Sequence, residues 1–514
     1  MPFRRSRLPT GNLLPSAFRW SSPVPSPPCG RMRPRADPSQ FRAISERDAM
    51  SRFICRFLAG VSVTMAAGLA ESATRPRYGS TLRVEMQADV RRLDPSERPT
   101  DAAEAAAKDK LETLVFERLV RLDENGRAQP ALALSWEHDA AAKRWVFRLR
   151  AGVKFHDGTT LSPDKVVASL RPGGAWLASA GEGAVVIQSD LPEPDLLPDL
   201  AHPRQSIALR RDDGTLWGTG AFRPAGSETG RRLALTANED YWGGRPFLDR
   251  ITIEMGRAPR DQMLDLELGK AEFIEISPAD VRTVEQRGMK VWSSAARDTI
   301  ALVFERGRPA VEDPRVRQAI AFSIDCAAIH NVRLQRQGEI AGGLLPGWLS
   351  GYAFLFSKVH DPARARQLIA RMEHPVPALA LSYDALDPLA RDIAERIAVD
   401  AREAGITIQV STAPARSDLR LVRIRPGSLQ PAAALADLAA FFHLSESVNL
   451  LPRSTHEALY HAERALLEDF RVIPLFHLPE LYALSPRVKT WTQPGVSKSG
   501  EWNLEDVWID VEKP

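Results

Sequence analysis

The sequence predicts an α/β fold, and three observations carry this prediction. Apolar segments at 378–382 and 406–410 flank a helical pattern, so a strand, a helix and a strand follow one another and the two strands should pair in parallel. Asp-Pro pairs mark three helix starts, because each places a capping carboxylate before a proline suited to the first turn. These pairs are Asp313-Pro314, Asp361-Pro362 and Asp387-Pro388. The third observation is a run of strand, turn and helix signals over 130–170.

Within that run, apolar residues alternate with arginines over 144–150, as in a half-buried strand. A second short strand is predicted at 153–155, and His156-Asp157-Gly158 turns the chain after it. Ser162 is expected to cap a helix that begins at Pro163. The segment therefore predicts strand, turn, strand and helix.

Length and composition set the class of protein. A chain of 514 residues predicts about three domains. The net charge is only +3, and the arginines are dispersed among acids, which argues against a nucleic-acid surface. The three cysteines, Cys29, Cys55 and Cys326, suggest neither a disulfide framework nor a metal site. Cys326 lies in an apolar helical pattern and is expected to be a buried, inert thiol.

The N-terminal region divides into two parts. Residues 1–49 are rich in Arg and Pro without an apolar period, and are interpreted as a disordered or untranslated extension. Residues 50–70 have a basic start, a short apolar run and small residues at the end, which predicts a signal peptide. About a dozen apolar residues are too few to span a hydrocarbon core of ~30 Å as a helix.

The remaining elements are predicted from simple periodicity. A first strand is expected at 81–87 and a long helix from Asp101, whereas 171–216 shows only one clear strand, at 184–188. Near the end, a helix is expected at 462–467 and a strand at 472–477.

Blocks of residues along the chain also match one known pattern. In the first part of the chain the blocks are Leu132-Ala133, Ser135-Trp136-Glu137, Leu149-Arg150, 152–158 and 166–170. Further on, 218–222 is similar to a GTGPF motif, 238–242 to NPDYW and 313–325 to DxRVRQAIAxxID. In this combination the chain resembles the family 5 solute-binding proteins of ABC importers, which bind dipeptides, oligopeptides or nickel.

The resemblance implies a two-lobed periplasmic-binding-protein-like fold with a hinge and an inserted accessory domain. The implied division is 78–94, 217–299 and 471–514 for lobe I, 95–216 for the accessory domain, and 300–470 for lobe II. Strands near 297–304 and 471–476 would cross between the lobes.

The function that the resemblance implies is that of an exported substrate-binding receptor. It would capture a small solute, peptide-like or another organic molecule, and deliver it to an ABC permease in the cytoplasmic membrane, as a monomer and without a cofactor. One alternative is a degenerate family member that acts as a sensor or scaffold without transport. A hydrolase is the other alternative.

Motifs for catalysis or metal binding are weak. His456 and His461 are five residues apart, so they do not share a helix face as a zinc pair at i and i+4 would. His156 and Asp157 are adjacent, which suits a turn better than a catalytic triad, and no Gly-x-Ser-x-Gly elbow or P-loop accompanies them. The sequence therefore predicts a protein that is not an enzyme.

Candidate ligand-binding residues follow from the position of strands. Ligands of α/β sheets usually contact residues at the carboxyl ends of strands, which makes Gln87 and Arg297 candidates. Trp217, just before the Gly-Thr-Gly turn, is a third. Each of these residues could equally have an ordinary surface or core role.

Two arginines complete the candidates. The family's peptide binders carry an acidic segment, GWxxDxxDP, that pairs with a peptide's amino terminus, whereas 420–429 of this chain contain no Asp or Glu. Since a buried ammonium without a partner is costly, we expect rejection of free peptide amines. Arg423 and Arg425 alternate with apolar residues along a predicted strand and are expected to hold an anionic or neutral ligand. The alternative is that both face water on an edge strand.

Overall fold

A computed structural model describes residues 75–97, 102–123, 127–171, 176–193, 196–385, 387–444, 455–492, 494–497 and 500–510. The interpretations of 1–49 as an extension and of 50–70 as a signal peptide concern residues outside these ranges. None of the helices within the described ranges has the length and hydropathy that a membrane span requires.

The strands are short except for two in the second half of the chain. In chain order they are β1 (Thr81–Glu85), β2 (Val120–Leu122), β3 (Ala128–Pro130), β4 (Ala133–His138), β5 (Arg144–Leu149), β6 (Trp176–Gly181), β7 (Ala184–Ser189), β8 (Leu209–Arg210), β9 (Leu216–Trp217), β10 (Phe222–Glu228), β11 (Arg232–Ala237), β12 (Arg250–Glu254), β13 (Phe273–Ile276), β14 (Lys290–Phe304), β15 (Glu339–Ile340), β16 (Leu379–Ser382), β17 (Ile408–Ser411), β18 (Leu419–Ile424), β19 (Val472–Leu484), β20 (Val488–Thr490) and β21 (Val507–Ile509).

The helices lie between these strands. In chain order they are α1 (Ala102–Val115), α2 (Pro163–Ser169), α3 (Leu196–Leu200), α4 (Pro259–Glu267), α5 (Val281–Gln286), α6 (Pro309–Glu312), α7 (Pro314–Ser323), α8 (Cys326–Val332), α9 (Gly347–Ser350), α10 (Pro362–Ala370), α11 (Pro388–Glu403), α12 (Pro431–Phe441) and α13 (His456–Leu467).

One large mixed sheet organises the protein. Its strands run in the spatial order β10-β11-β12-β1-β13-β19-β14-β18-β16-β17, and β15 pairs with β19 off this path. β1 pairs in parallel with β12 and β13, and β16 pairs in parallel with β17 and β18. The parallel pair β16 and β17, with α11 between them in sequence, confirms the predicted strand, helix, strand unit.

The hydrophobic cores divide this sheet into two parts. We call the part formed by β10, β11, β12, β1 and β13 the first lobe, and the part formed by β18, β16 and β17 the second lobe. One core joins Leu82, Ile253 and Phe273 in the first lobe, and another joins Leu302, Leu381 and Ile397 in the second. A third core, with Trp145, Phe147 and Val185, lies in a separate four-stranded sheet, β4-β5-β7-β6.

The position of α1 differs from the predicted division of the chain. The division places 95–216 in the accessory domain, but Leu111, Leu114 and Val115 of α1 pack in the first-lobe core. The third core begins instead at Leu119. The helix therefore belongs with the first lobe by packing, because its apolar face is needed to cover β10 and its neighbours. The division of the other segments stays a prediction.

The segment from β5 to α2 confirms part of its predicted pattern. β5 and α2 form where alternation and the proline predicted them. The prediction of a second strand at 153–155 is wrong, because these residues form a loop closed by one isolated β-bridge between Lys154 and Thr160. β5 does not pair with these residues, because β4 and β7 occupy its two sides. Sequence reasoning also missed β6, whose small residues carry no alternation.

All three predicted helix starts are confirmed. The Asp313 carboxylate accepts a hydrogen bond from the Arg315 N–H at 2.8 Å, and Asp361 accepts from the Arg364 N–H at 2.9 Å. Asp387 accepts from the N–H groups of Leu389 and Ala390, at 3.0 and 3.2 Å. These carboxylates satisfy donors that have no partner within the first turn of a helix.

A buried carboxylate ties α13 to a loop of the second lobe. Glu463 is fully buried, and its Oε1 accepts hydrogen bonds from the backbone N–H groups of Leu344 and Leu345, the second at 3.1 Å. Burial raises the pKa of Glu463 to about 7 from an ordinary 4.5, against these hydrogen bonds, which lower it. The folded protein therefore disfavours the ionised form.

We expect Glu463→Gln to change how stability depends on pH. In the wild type the unfolded chain ionises first as the pH rises from 4.5 to 7, so this group's contribution to stability is lost over that window. A shift of this size corresponds to about 3 kcal/mol. Urea unfolding at pH 5 and pH 8 should show the variant gaining about that much relative to wild type at the higher pH. Glu457→Gln, at an exposed site on the same helix, is the control. Identical pH profiles for Glu463→Gln and wild type would contradict the expectation.

Candidate functional site

The two long strands, β14 and β19, connect the lobes. Lys290 to Ser293 of β14 pair with 481–484 of β19, whereas Thr299 to Val303 pair with 472–477. Between these stretches the register shifts twice, from Ser293 to Ala296 and from Ala296 to Asp298. β19 likewise pairs with β13 of the first lobe only from Leu481 onwards. The passage between lobes therefore lies at 293–298 and 478–481, adjacent to the crossings expected at 297–304 and 471–476.

Charged side chains from both lobes meet at this passage. We call them the crossing cluster, which consists of Lys110, Glu275, Asp298, Arg423, Arg425 and Glu480. Lys110 Nζ lies 2.9 Å from Glu480 Oε1 and 3.5 Å from Glu275 Oε1. Arg425 donates from Nη1 to Glu480 Oε1 at 2.8 Å and from Nε to Asp298 Oδ1 at 2.7 Å. Arg423 donates from Nε to Asp298 Oδ2 at 2.8 Å. Positive and negative groups thus alternate without a break from one lobe to the other.

Both central carboxylates are ionised at neutral pH. Burial alone would raise the pKa of Asp298, but Arg425 and Arg423 hold it well below its usual range. Burial likewise opposes the ionised form of Glu480, yet Lys110 and Arg425 lower its pKa to about 2. The charges of the cluster therefore pair with one another in a largely buried place, where burying any one of them without a partner would cost free energy.

Asp109, next to Lys110 on α1, has a different environment. Its carboxylate is half-buried, and within the described part of the chain the groups that act on it do so by charge, without a hydrogen bond. Burial raises its pKa, against the attraction of His202, Arg297 and Arg425. His202 in turn forms a hydrogen bond of 2.7 Å between its Nε2 and the Gly427 carbonyl of the second lobe, while its Nδ1 accepts from the Arg204 N–H at 3.2 Å. The Asp109 carboxylate and the hydrogen bond from His202 to the second lobe therefore both lie beside the crossing cluster.

The structure brings most of the predicted candidates to this place. Gln87 follows β1 and donates its backbone N–H to Glu275 Oε2 at 2.7 Å. Arg297 lies on β14 within the passage, where burial and the neighbouring Arg425 lower the pKa of its guanidinium. Trp217 packs instead on the third core, edge-on to His156 with ring centroids 6.3 Å apart. Trp217 therefore belongs with the third core and not with the crossing cluster.

Arg423 and Arg425 do not lie on an edge strand. β18 pairs with β14 over its whole length but with β16 only through Leu419 and Arg420, and Arg425 follows the strand. The strand is therefore not an edge of the sheet, although its β16 side is unpaired at Arg423. Arg423 still keeps 41% of its side chain exposed, whereas Arg425 keeps 17%. Both guanidiniums already bind the Asp298 carboxylate. An anionic ligand, which the sequence suggested, would have to replace that carboxylate.

Sequence reasoning missed the acidic half of the site and its lysine. Glu480 is a single carboxylate in the otherwise apolar strand Val472–Leu484, and Lys110 is a cation on a helix face that turns inward. A lone carboxylate in a strand rich in apolar residues is the signal that could have found Glu480, because such groups are rarely buried without partners. Lys110 gives no such signal, because Lys108, Asp109 and Glu112 surround it on α1. Asp298 is adjacent to the candidate Arg297 and carried no such signal.

The motifs considered for chemistry have structural roles. His156 is buried, with Nε2 bound to the Gly220 carbonyl at 3.0 Å, and burial lowers its pKa to about 4. Asp157 accepts from the Thr159 N–H at 2.9 Å and pairs with Arg211, so it does not orient the imidazole. Cys326 is buried, which raises the pKa of its thiol. Over the residues with described structure, no three His, Cys, Asp or Glu side chains are grouped as metal ligands would be.

A cavity of about 350 Å³ lies away from the crossing cluster, in the second lobe. Its lining includes Arg306, Glu312, Leu444 and Arg471.

Comparison with known proteins places these features in context. The nickel-binding periplasmic protein of Escherichia coli is 24% identical over 347 residues, which cover 58% of this chain and 66% of that protein. Di/tripeptide-binding protein 2 of Pseudomonas aeruginosa is 27% identical over 288 residues, covering 47% and 54% respectively. The chain thus spans about half to two thirds of the length of these relatives.

Solved structures share the fold. NikA from Brucella suis, in complex with Fe(III)-EDTA, superposes with a TM-score of 0.72 at 21% identity and covers 84% of this chain and 100% of its own. The substrate-binding protein CtaP from Listeria monocytogenes gives a TM-score of 0.72 at 17% identity, covering 85% of this chain and 100% of its own. The predicted two-lobed α/β fold is confirmed.

Family membership is decided by a match to a family model. The model of the family described as bacterial extracellular solute-binding proteins, family 5, middle region, matches residues 127–425, more than half of the chain. The match includes the blocks of β4, β5 and α2 as well as α7, from which the resemblance was inferred. The chain belongs to family 5 of the bacterial extracellular solute-binding proteins.

Proposed function

We propose that the protein is an exported receptor that captures a small organic solute between its lobes and delivers it to the permease of an ABC importer. The observation that carries the proposal is the passage of β14 and β19 between two separately packed lobes, with charged groups of both lobes meeting there. Lobes joined by a few strands move as rigid bodies, and a ligand that touches both stabilises the closed state. This function needs no nucleophile.

The similar proteins support a small solute and a range of chemistries. Those compared above bind nickel, di- and tripeptides or a chelated metal, and another structural neighbour was solved in complex with mannopinic acid. All of these relatives are binding proteins, which favours a receptor over a hydrolase. We propose export by the segment 50–70, action as a monomer and a permease in the cytoplasmic membrane, in line with the extracellular nature of the family.

The charges of the site favour an overall neutral, peptide-like or other polar organic ligand. An anion would have to compete with Asp298 for Arg423 and Arg425. Asp109 supplies a carboxylate that has no hydrogen-bond donor among the described residues, and it can therefore receive an N–H group of the ligand. This changes the expectation from the sequence, in which the lack of an acid at 420–429 suggested rejection of amines. The acid comes from another element.

Binding and closure can be measured together. We expect a member of a panel of amino acids, dipeptides and tripeptides to raise the melting temperature and to reduce the radius of gyration in small-angle scattering. Loss of one charged hydrogen bond in Asp109→Asn should weaken that binding by about tenfold in calorimetry. Asp212→Asn, at an exposed turn, should leave the affinity unchanged.

One observation favours the second candidate, a sensor or scaffold that binds no solute. The arginines and the lysine of the crossing cluster are all bound by internal carboxylates, so the floor of the cleft is complete without a ligand. Native mass spectrometry of the purified protein would separate the candidates. The receptor would be refuted if no small molecule co-purified and if neither the panel nor a matching set of organic anions compacted the protein.

A further inference from the structure

We propose that the crossing cluster and His202 form a latch that draws the two lobes together before any solute binds. The inference rests on the proposed function, whose regulation it describes, since a latch matters only if the lobes open and close. It assigns to Lys110, Glu480 and Arg425 a role in setting the ligand-free equilibrium between open and closed states.

One oxygen atom links the lobes. Glu480 Oε1 is held at 2.9 Å by Lys110 of α1 and at 2.8 Å by Arg425 beyond the end of β18. α1 is anchored in the first-lobe core, and Arg425 directly follows β18 of the second lobe and also binds Asp298 of the passage. Because β19 itself passes between the lobes at Glu480, a rotation of one lobe against the other moves Lys110 and Arg425 relative to each other around this shared oxygen.

A second contact acts on the same segment. Gly427 follows Arg425 by two residues, and its carbonyl accepts from His202 at 2.7 Å. His202 lies after α3, outside the second lobe, and its ring is oriented by the Arg204 N–H. The short segment 425–427 of the second lobe is therefore held at two points by groups that do not belong to that lobe.

The strength of the latch comes from burial. The side chains of Lys110 and Glu480 are only 7% and 8% exposed, so water does not replace either partner at low cost. Separation of the lobes leaves at least one of these charges without its counter-ion in a partly dry place. A ligand that contacts both lobes further stabilises the closed state. The cluster determines how much binding free energy the ligand must supply to close the lobes.

The neighbouring lysine offers a matched control. Lys108 lies on the same helix and is equally buried, with 7% of its side chain exposed, but its ion pair, at 3.7 Å, is with Glu112 of that helix. Lys108→Met therefore removes the same kind of charge without touching a contact between lobes, whereas Lys110→Met removes the first-lobe end of the latch.

The test measures distance in the absence of ligand. Spin labels at Ser227 of β10 and Glu403 of α11, both exposed, report the separation of the lobes by double electron-electron resonance. We expect Lys110→Met to raise the ratio of open to closed molecules by about tenfold and Lys108→Met to leave it unchanged. An unchanged distribution in folded Lys110→Met, or an equal shift in Lys108→Met, would overturn the latch.

A second variant keeps the test decisive. If Lys110→Met does not fold, His202→Leu removes the other contact with the segment 425–427 and should shift the ratio in the same direction by about threefold. No shift in this variant would also overturn the proposal. No solute is added in this experiment, so a negative result for the latch does not contradict the receptor function. If no solute is found, the latch can still be measured.

Discussion

Asp298→Asn is expected to lower the free energy of unfolding by about 3–5 kcal/mol, because it removes the carboxylate between two buried or half-buried cations. Asp298 is 6% exposed and binds Arg423 and Arg425 through its two oxygens. An amide can accept from one arginine but offers its N–H₂ group to the other, so one guanidinium loses its partner. Urea unfolding at neutral pH measures the change.

The same group gives the prediction a pH signature. The pKa of Asp298 is depressed in the folded state, so its contribution to stability is present above the ordinary value of 3.8 and is lost as the pH falls below it. The difference in free energy of unfolding between wild type and Asp298→Asn should therefore become smaller as the pH is lowered. Asp240→Asn, at an ion pair of 3.3 Å whose acid is 66% exposed, should cost less than about 1 kcal/mol. Equal losses in the two variants would contradict the account of the cluster.

The fold was predictable to the extent that its signals are local. Helix starts at Asp313, Asp361 and Asp387 depend on a side chain and the next few backbone N–H groups, so the sequence determines them directly. β6 was missed because the small residues around Ala178 show no apolar alternation in the sequence, and its pairing with β7 is decided by the sheet. Local propensity does not contain such information.

The site was less predictable because its contacts are distant in sequence. The lysine that completes the cluster is at position 110 and the acid that it binds is at position 480, with no periodicity that relates them. The sequence drew attention to Arg297 at a strand end and to Arg423 and Arg425 along a predicted strand, and all three lie near the passage between the lobes in the structure. Their role in ligand binding stays a prediction. Sequence reasoning interpreted the lack of an acid at 420–429 as a lack of any acid in the cleft, whereas Asp109, Asp298 and Glu480 come from other elements.

Gly218→Ala is the second substitution with a large expected effect. A Cβ at position 218 would lie 1.9 Å from the carbonyl oxygen of Val115, the last residue of α1, and 2.7 Å from its carbonyl carbon. These are backbone atoms at a helix end that is also bound by the Gly220 N–H at 2.9 Å, so they cannot turn aside as a flexible side chain would. The Gly-Thr-Gly turn is therefore required for close approach, and no phosphate needs to be invoked for it.

We expect Gly218→Ala to lower the free energy of unfolding by about 3 kcal/mol or more, since relief of the clash must displace α1 from β10. Gly226→Ala is the matched control, because a Cβ there meets no atom within 4 Å, and it should change stability by less than about 1 kcal/mol. α1 carries Asp109 and Lys110, so a displaced helix should also shift the ligand-free distance between the lobes in the direction of Lys110→Met. Unfolding curves for the two glycine variants, followed by tryptophan fluorescence, test the first expectation, and a Gly218→Ala protein as stable as Gly226→Ala would show that the turn tolerates a side chain after all.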